Sequence, residues 1–571
     1  MKNNLPTLLD SFKQRKFLKV EWINLFLLLS CGFAYLYYCF FYSVNFPFND
    51  DFGQTLGYVD QIYASDSVDQ FFTALFQQFN SHYIVSQRIV VLLFFEIFGH
   101  LNFEYLIIFG NIIYLSIILF LVQNSGIPVK SIVFVVLTCI TCFIPVNMLS
   151  NWTGTSIVHS FVVLFGCLSL KLLVDKKNVI AAILFLIMAL LSLGNSICIP
   201  IVGLFVMIYF YRDYKELIMR WVLFSSICLF LFFLFYQFEP GISSDKEFLD
   251  QLLNISKFFF AFNGAILRTF PVGDYQHNLC MIYGILIVAH VSYFLFFKKK
   301  FLTENKVVLS VIIYLLMTAA IVSLSRGKDT YLVSLSDRYQ WYHMLISLCY
   351  FILIFKYYTI TYKRLVISAL LISIFGLNSY YFYAYNERKL SNHRLKMEDS
   401  ILSFNTEDAR YIAHPFRKQL VYQVLKKFEK KGLYKAPEIF TIQEDCGKIV
   451  DVVSMEDSVF ELDYTVVTGD DKFWMSGNLE LQRNNLFRDH TLSVQFNNGL
   501  ECIQYRLSNF GQNNITNRVY KNFGKVLHEP HFKGLFNSGE FTGRYKVDFI
   551  LEQGNTKYQF NLDDNYISIN I

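Results

Sequence analysis

Two adjacent acids, Asp50 and Asp51, stand in the segment Asn-Phe-Pro-Phe-Asn-Asp-Asp-Phe, a few residues beyond a long apolar run that begins near Trp22. Charges beside a membrane-spanning run cost free energy unless they have a partner or a task. A carboxylate at such a boundary could take a proton from an attacking hydroxyl. The pair could alternatively hold a divalent cation such as Mg or Mn through oxygen ligands. Other polar residues fall near apolar boundaries: His82, Arg88, Asn151, Trp152, His159, Arg268, Arg326, Lys328, Asp337 and Arg338. Each alone has an ordinary reading as a cap, an interface anchor or a satisfied boundary histidine. Gathered on one face they suit a reaction on a phosphorylated lipid, because Arg and Lys can hold a phosphate and neutralise the charge that builds on it. No zinc-ligand spacing, Walker loop, GxSxG or Rossmann fingerprint occurs in a supporting context.

The elements that must position these residues are apolar helices. The 571-residue chain is 54% hydrophobic and only 17% charged, against roughly 25% charged in a soluble domain. Spans are expected at about 21–44, 103–122, 131–148, 155–173, 178–195, 197–211, 219–237, 277–297, 307–325, 339–356 and 364–384, which makes an α-helical polytopic membrane protein of about 11 spans. A net charge of +5 is ordinary there and does not call for nucleic acid. Lys130, Lys171, Lys176, Lys177, Arg212, Lys215, Arg220, Lys298 to Lys300, Lys306, Lys356, Lys363 and Arg364 fall in alternate loops, on the side of the N-terminal Lys2, Lys13, Arg15, Lys16 and Lys19. By the positive-inside rule that side is the cytoplasm. Residues 1–20 then form a cytoplasmic N-terminus, the first span reads as an uncleaved signal anchor, and the C-terminus lies outside.

The first outer loop, 45–102, is long. Its residues 60–98 read as helices, with the short apolar stretch 88–98 lying at the membrane interface; making it a span would break the alternation of charge. Residues 386–436 read as a charged helical connector. Beyond them the period changes: Tyr545-Lys-Val-Asp-Phe549, a Gln-Gly-Asn-Thr turn and Tyr558-Gln-Phe560 predict a hairpin, and 437–571 reads as an extracytoplasmic, mainly-β, sandwich-like domain. That domain could bind acceptor glycan or be a structural cap. Most of the 11 Cys fall in spans; Cys446 and Cys502 lie in the tail, where a disulfide and two free thiols are both open readings.

With a first span followed by Asn49-Asp50-Asp51-Phe52, then Asn80-Ser81-His82-Tyr83, Arg88 and an apolar run ending at Phe98-Gly99, the chain resembles the GT-C superfamily of membrane glycosyltransferases. Asn147 to Trp152, Leu193-Gly194-Asn195-Ser196 and Ser336-Asp337-Arg338-Tyr339 add to the likeness, which covers roughly residues 20–385. The resemblance implies a catalytic domain over 21–385 that transfers a sugar from a polyprenyl-phosphate donor to an acceptor glycan, lipid or protein, with a surface glycan favoured. Asp50 would be the general base or the acid that orients the acceptor, with Asp51 in support or helping with a metal. Arg338, with Arg326 or Lys328, would bind the donor phosphate; His82, Arg88 and Tyr339 would shape the donor pocket. Many members carry an acid in the second outer loop, where this chain offers Asn151 beside Trp152, so metal dependence stays open. Similar bacterial members decorate O-antigen, the outer part of lipopolysaccharide, with glucose from undecaprenyl phosphate glucose at the inner membrane. A polyprenyl-phosphate sugar synthase and a flippase would be the partners that supply the donor. Two other classes remain: a transporter or flippase for lipid-linked oligosaccharide, expected to show mid-membrane charges or repeats, and an O-antigen polymerase, expected to place its long catalytic loop late.

Overall fold

The computed structural model describes residues 5–80, 82–127, 131–144, 154, 157–175, 178–236, 247–270, 272, 275–328, 330–358, 361–383, 387–405, 409, 412, 418–437, 442–444, 452–454, 460–468, 472–481, 490–497, 502–506, 508–509, 531–537, 543–553 and 556–569. The chain forms two compact units: residues 1–43 with 49–386, and residues 44–48 with 387–571.

The first unit is helical. It comprises α1 (Leu5–Tyr42), a π-helical turn (Phe52–Gly57), α2 (Tyr58–Tyr63), α3 (Val68–Phe76), α4 (Val85–Phe98), α5 (Phe103–Asn124), α6 (Ile132–Cys142), α7 (Ile157–Val174) and α8 (Val179–Leu190). It continues with α9 (Cys198–Tyr211), α10 (Lys215–Phe235), α11 (Phe248–Gly264), α12 (Gln276–Phe297), α13 (Lys299–Thr303), α14 (Lys306–Arg326), α15 (Gln340–Tyr357) and α16 (Thr361–Tyr381). Seven segments among the described residues are long and apolar enough to cross a membrane: Trp22–Tyr42, Phe103–Asn124, Ile157–Val174, Gly194–Tyr211, Lys215–Phe235, Gln276–Phe297 and Lys306–Arg326. By length and composition this is a membrane protein.

The expected eleven spans all overlap helices, but four fall short of that standard. Ile132–Cys142, Val179–Leu190 and Val366–Tyr381 are shorter. The fourth, α15, opens on a polar turn with Gln340 and His343, and every residue from Gln340 to Phe355 is buried. It is a central pillar, packed by α5, α6, α11, α14 and the turn Ala265–Thr269.

Side-chain contacts between these helices are specific. Tyr35 donates to buried Asn111 at 2.6 Å, joining α1 to α5. Tyr114 stacks on Trp341 with ring centroids 5.0 Å apart, joining α5 to α15. Such polar and close-packed contacts matter because lipid offers no hydrophobic drive between helices. The segment 45–102, expected as the first outer loop, carries helices over 58–63, 68–76 and 85–98. In it α4 ends on the left-handed Gly99 and presents Ile89, Leu93 and Ile97 outward along one face. An element that the sequence reading left out is α11, inside the expected outer loop 238–276. Its Phe258, Ala261 and Phe262 are buried at the i, i+3, i+4 spacing of one helix face.

The second unit holds α17 (Glu387–Asn405) and α18 (Lys418–Lys430). Val421, Leu425 and Phe428 of α18 are buried, and Tyr434 donates to the carbonyl of Asn45 at 2.9 Å. The residues read as a connector therefore belong with the tail. Farther on, the described backbone includes the paired strands β1 (Gly543–Gln553) and β2 (Thr556–Ile569), with Phe549 opposite Phe560. Cys446 lies outside the described residues, and the side chain of Cys502 does too.

Candidate active site

Asn49, just before the acidic pair, has φ 50°, a left-handed conformation that Asn tolerates better than most residues. The chain thereby turns into the π-helical segment, whose first amides, Gly53 and Gln54, donate to the carbonyl of Asp50 at 3.2 and 2.8 Å. The turn separates the two acids. Asp51 is fully buried, and its Oδ2 accepts from the backbone N–H of Gly154 at 3.2 Å. It thus ties the segment that follows α1 to Gly154, three residues before α7. Asp50 is exposed, yet the surrounding protein removes enough water to raise its carboxyl above the ordinary value, an effect that Arg338 partly opposes.

Arg338 is also exposed. Its neighbour Asp337 is engaged elsewhere, in an ion pair with Arg268. Arg268 is itself buried and donates to the carbonyl of Leu335 at 2.6 Å. Among the described residues Arg338 has no ion pair or hydrogen bond; its guanidinium lies 5.9 Å from the ring centre of Tyr339. Buried Tyr339 sits in the field of both Arg338 and Arg326. One rim therefore carries an exposed acid and two exposed cations.

Histidines complete the cluster. The turn Phe79 to His82 closes with Phe79 N–H to His82 carbonyl at 2.9 Å and the reverse bond at 3.0 Å. The imidazole of His82 then lies against Gly194, where a Cβ would come 3.0 Å from Nδ1. His159, in the first turn of α7, shares a hydrogen bond of 3.2 Å with the hydroxyl of Tyr342. Asn195 donates to the same hydroxyl at 3.3 Å. His159 lies within electrostatic reach of His82 and Arg338. All these groups sit at helix ends or in connecting turns.

The structure thus brings together Asp50, His82, Arg326, Arg338 and Tyr339 from the expected set. Three residues take other places. Asp51 is a buried tether. Lys328 is exposed, and among the described residues its backbone carbonyl accepts from Asn254 at 3.4 Å. Arg88 is buried and donates through one nitrogen to the carbonyls of Ala74, at 2.9 Å, Leu75, at 2.8 Å, and Gln77. Its guanidinium lies 5.0 Å from the ring centre of Tyr58. Burial lowers it to about 10, with Tyr58 opposing, so it stays a cation at neutral pH and caps the C-terminal end of α3. Asn151 and Trp152 lie outside the described residues. Tyr342 was not foreseen; the signal available was its position three residues beyond Tyr339, on the same helix face.

The capping role is testable. Arg88→Met leaves three carbonyls without their donor, which is expected to lower stability by about 2–4 kcal/mol. Hydrogen exchange should speed up over residues 68–77; unchanged protection there would refute the cap.

A hard cation needs several oxygen ligands. Among the described residues no three His, Cys, Asp or Glu side chains gather, and one oxygen of Asp51 already accepts from Gly154. The described residues do not assemble a site for Mg or Mn, and no step is routed through one.

The fold and this rim define a polytopic helical protein of the membrane class with a polar site at one set of helix ends. No family model matches the chain, and no curated protein and no solved structure matches it either.

Proposed function

We propose that the chain is an integral membrane glycosyltransferase of GT-C type. It moves a hexose, glucose in the simplest reading, from a polyprenyl-phosphate donor to a surface glycan such as O-antigen. The observation that carries this reading is the exposed Asp50 lying in the field of the exposed Arg338, which has no ion pair among the described residues, while the neighbours of both, Asp51 and Asp337, are engaged elsewhere. In the reaction the acceptor hydroxyl gives its proton to Asp50 as its oxygen bonds to the sugar C1. The bond from C1 to the phosphate oxygen breaks, and the electron pair leaves with the polyprenyl phosphate. Arg338 and Arg326 neutralise the charge that grows on that phosphate. His82, Tyr339, and the Asn195–Tyr342–His159 set shape the neighbouring wall.

The proposal includes a bacterial inner-membrane location with eleven crossings, the N-terminus cytoplasmic and 437–571 an extracytoplasmic β-sandwich. A phosphatase reporter that works only outside the cytoplasm is expected to be active when fused after Ile571. Activity of a cytoplasm-only reporter at that position would refute the topology. For the activity, mass spectrometry of surface glycan from cells with and without this chain should differ by a hexose; identical glycans would overturn the assignment.

A further inference from the structure

The first unit also holds a concavity whose lining includes neither Asp50 nor Arg338. It is a cavity of about 1210 Å³ between α2 and α3 on one side and α8 and α10 on the other. The side formed by α2, α3 and the residues after α3 carries the amides Gln61, Gln70, Gln77 and Gln78; the side formed by α8 and α10 carries Leu191, Leu231 and Phe235. Among the described residues no Asp, Glu, Lys, Arg or His lines it. Tyr83 closes one end by donating to the carbonyl of Phe235 at 2.6 Å.

The two walls ask for different chemistry from one molecule. Of the seven long apolar segments, α10 is the least covered, with only 17% of its window buried. Leu231 and Phe235 are 48% and 69% exposed, so the apolar wall continues the exposed apolar face of α10. Primary amides offer both donors and an acceptor, which matches hydroxyl groups in either sense. A phosphate drawn into this wall would lose water and find no cation in return. The volume exceeds the roughly 300–1,000 Å³ usual for a small-molecule pocket, leaving room for a headgroup and the first part of its chains.

We infer that this cavity binds a membrane lipid with an uncharged, polyhydroxylated headgroup, a neutral glycolipid. The headgroup faces the glutamine amides, and the chains run out along α10. The inference stands apart from the sugar-transfer reading, and either can fail without the other.

The test uses the full chain in nanodiscs made from a common matrix lipid. Each set carries one guest of identical acyl chains: glucosyl diacylglycerol, phosphatidylglycerol or plain diacylglycerol. Native mass spectrometry then counts the guest lipids that stay bound on release. The glucosyl lipid should be retained about tenfold over both others, the discrimination of one or two net hydrogen bonds. Gln61→Leu, and separately the double change Gln70→Leu with Gln77→Leu, should abolish that preference without changing total retained lipid. Gln70 also accepts from the backbone N–H of Asp66 at 2.8 Å, so Gln61→Leu keeps the test decisive if the double variant misfolds. Equal retention of diacylglycerol, a preference for phosphatidylglycerol, or an unchanged preference in Gln61→Leu would each overturn the inference.

Discussion

Asp50→Asn is expected to cut hexose transfer by about 10²–10⁴-fold, the usual contribution of a positioned general base, while leaving the protein as stable as before or slightly more so. The second half of that expectation separates a chemical role from a structural one. Burial holds the Asp50 carboxyl above its ordinary value. The native state therefore binds that proton more tightly than the unfolded chain does. Ionised Asp50 lowers stability as pH rises past the ordinary carboxylate range, by an amount that exposure to water keeps small. Asparagine removes the ionisation and with it the penalty. A residue retained only as a cap or a solvated loop group would show neither the large loss of transfer nor this sign in stability. The assay is transfer from a polyprenyl-phosphate hexose to surface glycan in vesicles, read beside a thermal unfolding curve of the purified protein. Transfer within about threefold of the parent would remove Asp50 from the role of base.

The same pair gives a pH signature. A base works ionised, so transfer should fall as pH drops through the raised value of Asp50. Arg338 pulls that value down. With Arg338→Gln the pull is gone, and the acid limb of the rate profile should move to higher pH. A phosphate contact alone would weaken donor binding and leave the limb in place.

What the sequence disclosed, and what it hid, follows from the range of each interaction. Hydropathy over about 20 residues is local, so the long helices were legible, as were the helices between residues 58 and 98. The helix α11 was not, because Asp250 and Lys257 interrupt its apolar face and 17 residues make a short window. The acidic pair was legible as a site, but the division of labour inside it was not. Asp51 meets Gly154, 103 residues away, and only the folded chain shows that the second acid is buried. Arg88 gave the same difficulty. A cation after an apolar boundary reads as a phosphate ligand, whereas its partners are carbonyls 11 to 14 residues earlier, exposed to it only once α3 has formed and ended. Tyr342 was hidden for a different reason: one tyrosine among 37 carries no mark of its role until the positions of His159 and Asn195 are known.

Gly284→Ala is expected to destabilise the protein, even though alanine is the better helix former by about 1 kcal/mol. At this crossing the backbones of α11 and α12 touch. A Cβ on Gly284 would sit 1.9 Å from the carbonyl oxygen of Phe260, and one on Gly264 would sit 1.9 Å from that of Cys280. Ordinary carbon–oxygen contacts between close helices are about 3.3–3.6 Å, so the helices must part by more than an ångström. The obstacle is backbone, and no side chain can rotate away. Overpacking usually costs about 1–3 kcal/mol, and a backbone clash belongs at the upper end or above it. The displacement also reaches the site. Two residues beyond Phe260, the Phe262 ring lies 4.6 Å from that of His343 and 5.3 Å from that of Tyr339, which borders Arg338. Transfer should therefore fall together with thermal stability, unlike in Asp50→Asn, where it falls alone. Gly376 in α16 supplies the control, since a Cβ there meets nothing within 4 Å. Gly376→Ala should raise stability by up to about 1 kcal/mol, through helix propensity alone. Opposite signs for the two glycine-to-alanine changes, in one detergent and by one unfolding assay, would locate the crossing of α11 and α12 as the contact that fixes Tyr339 beside the rim. Equal signs would show that the two helices do not approach so closely.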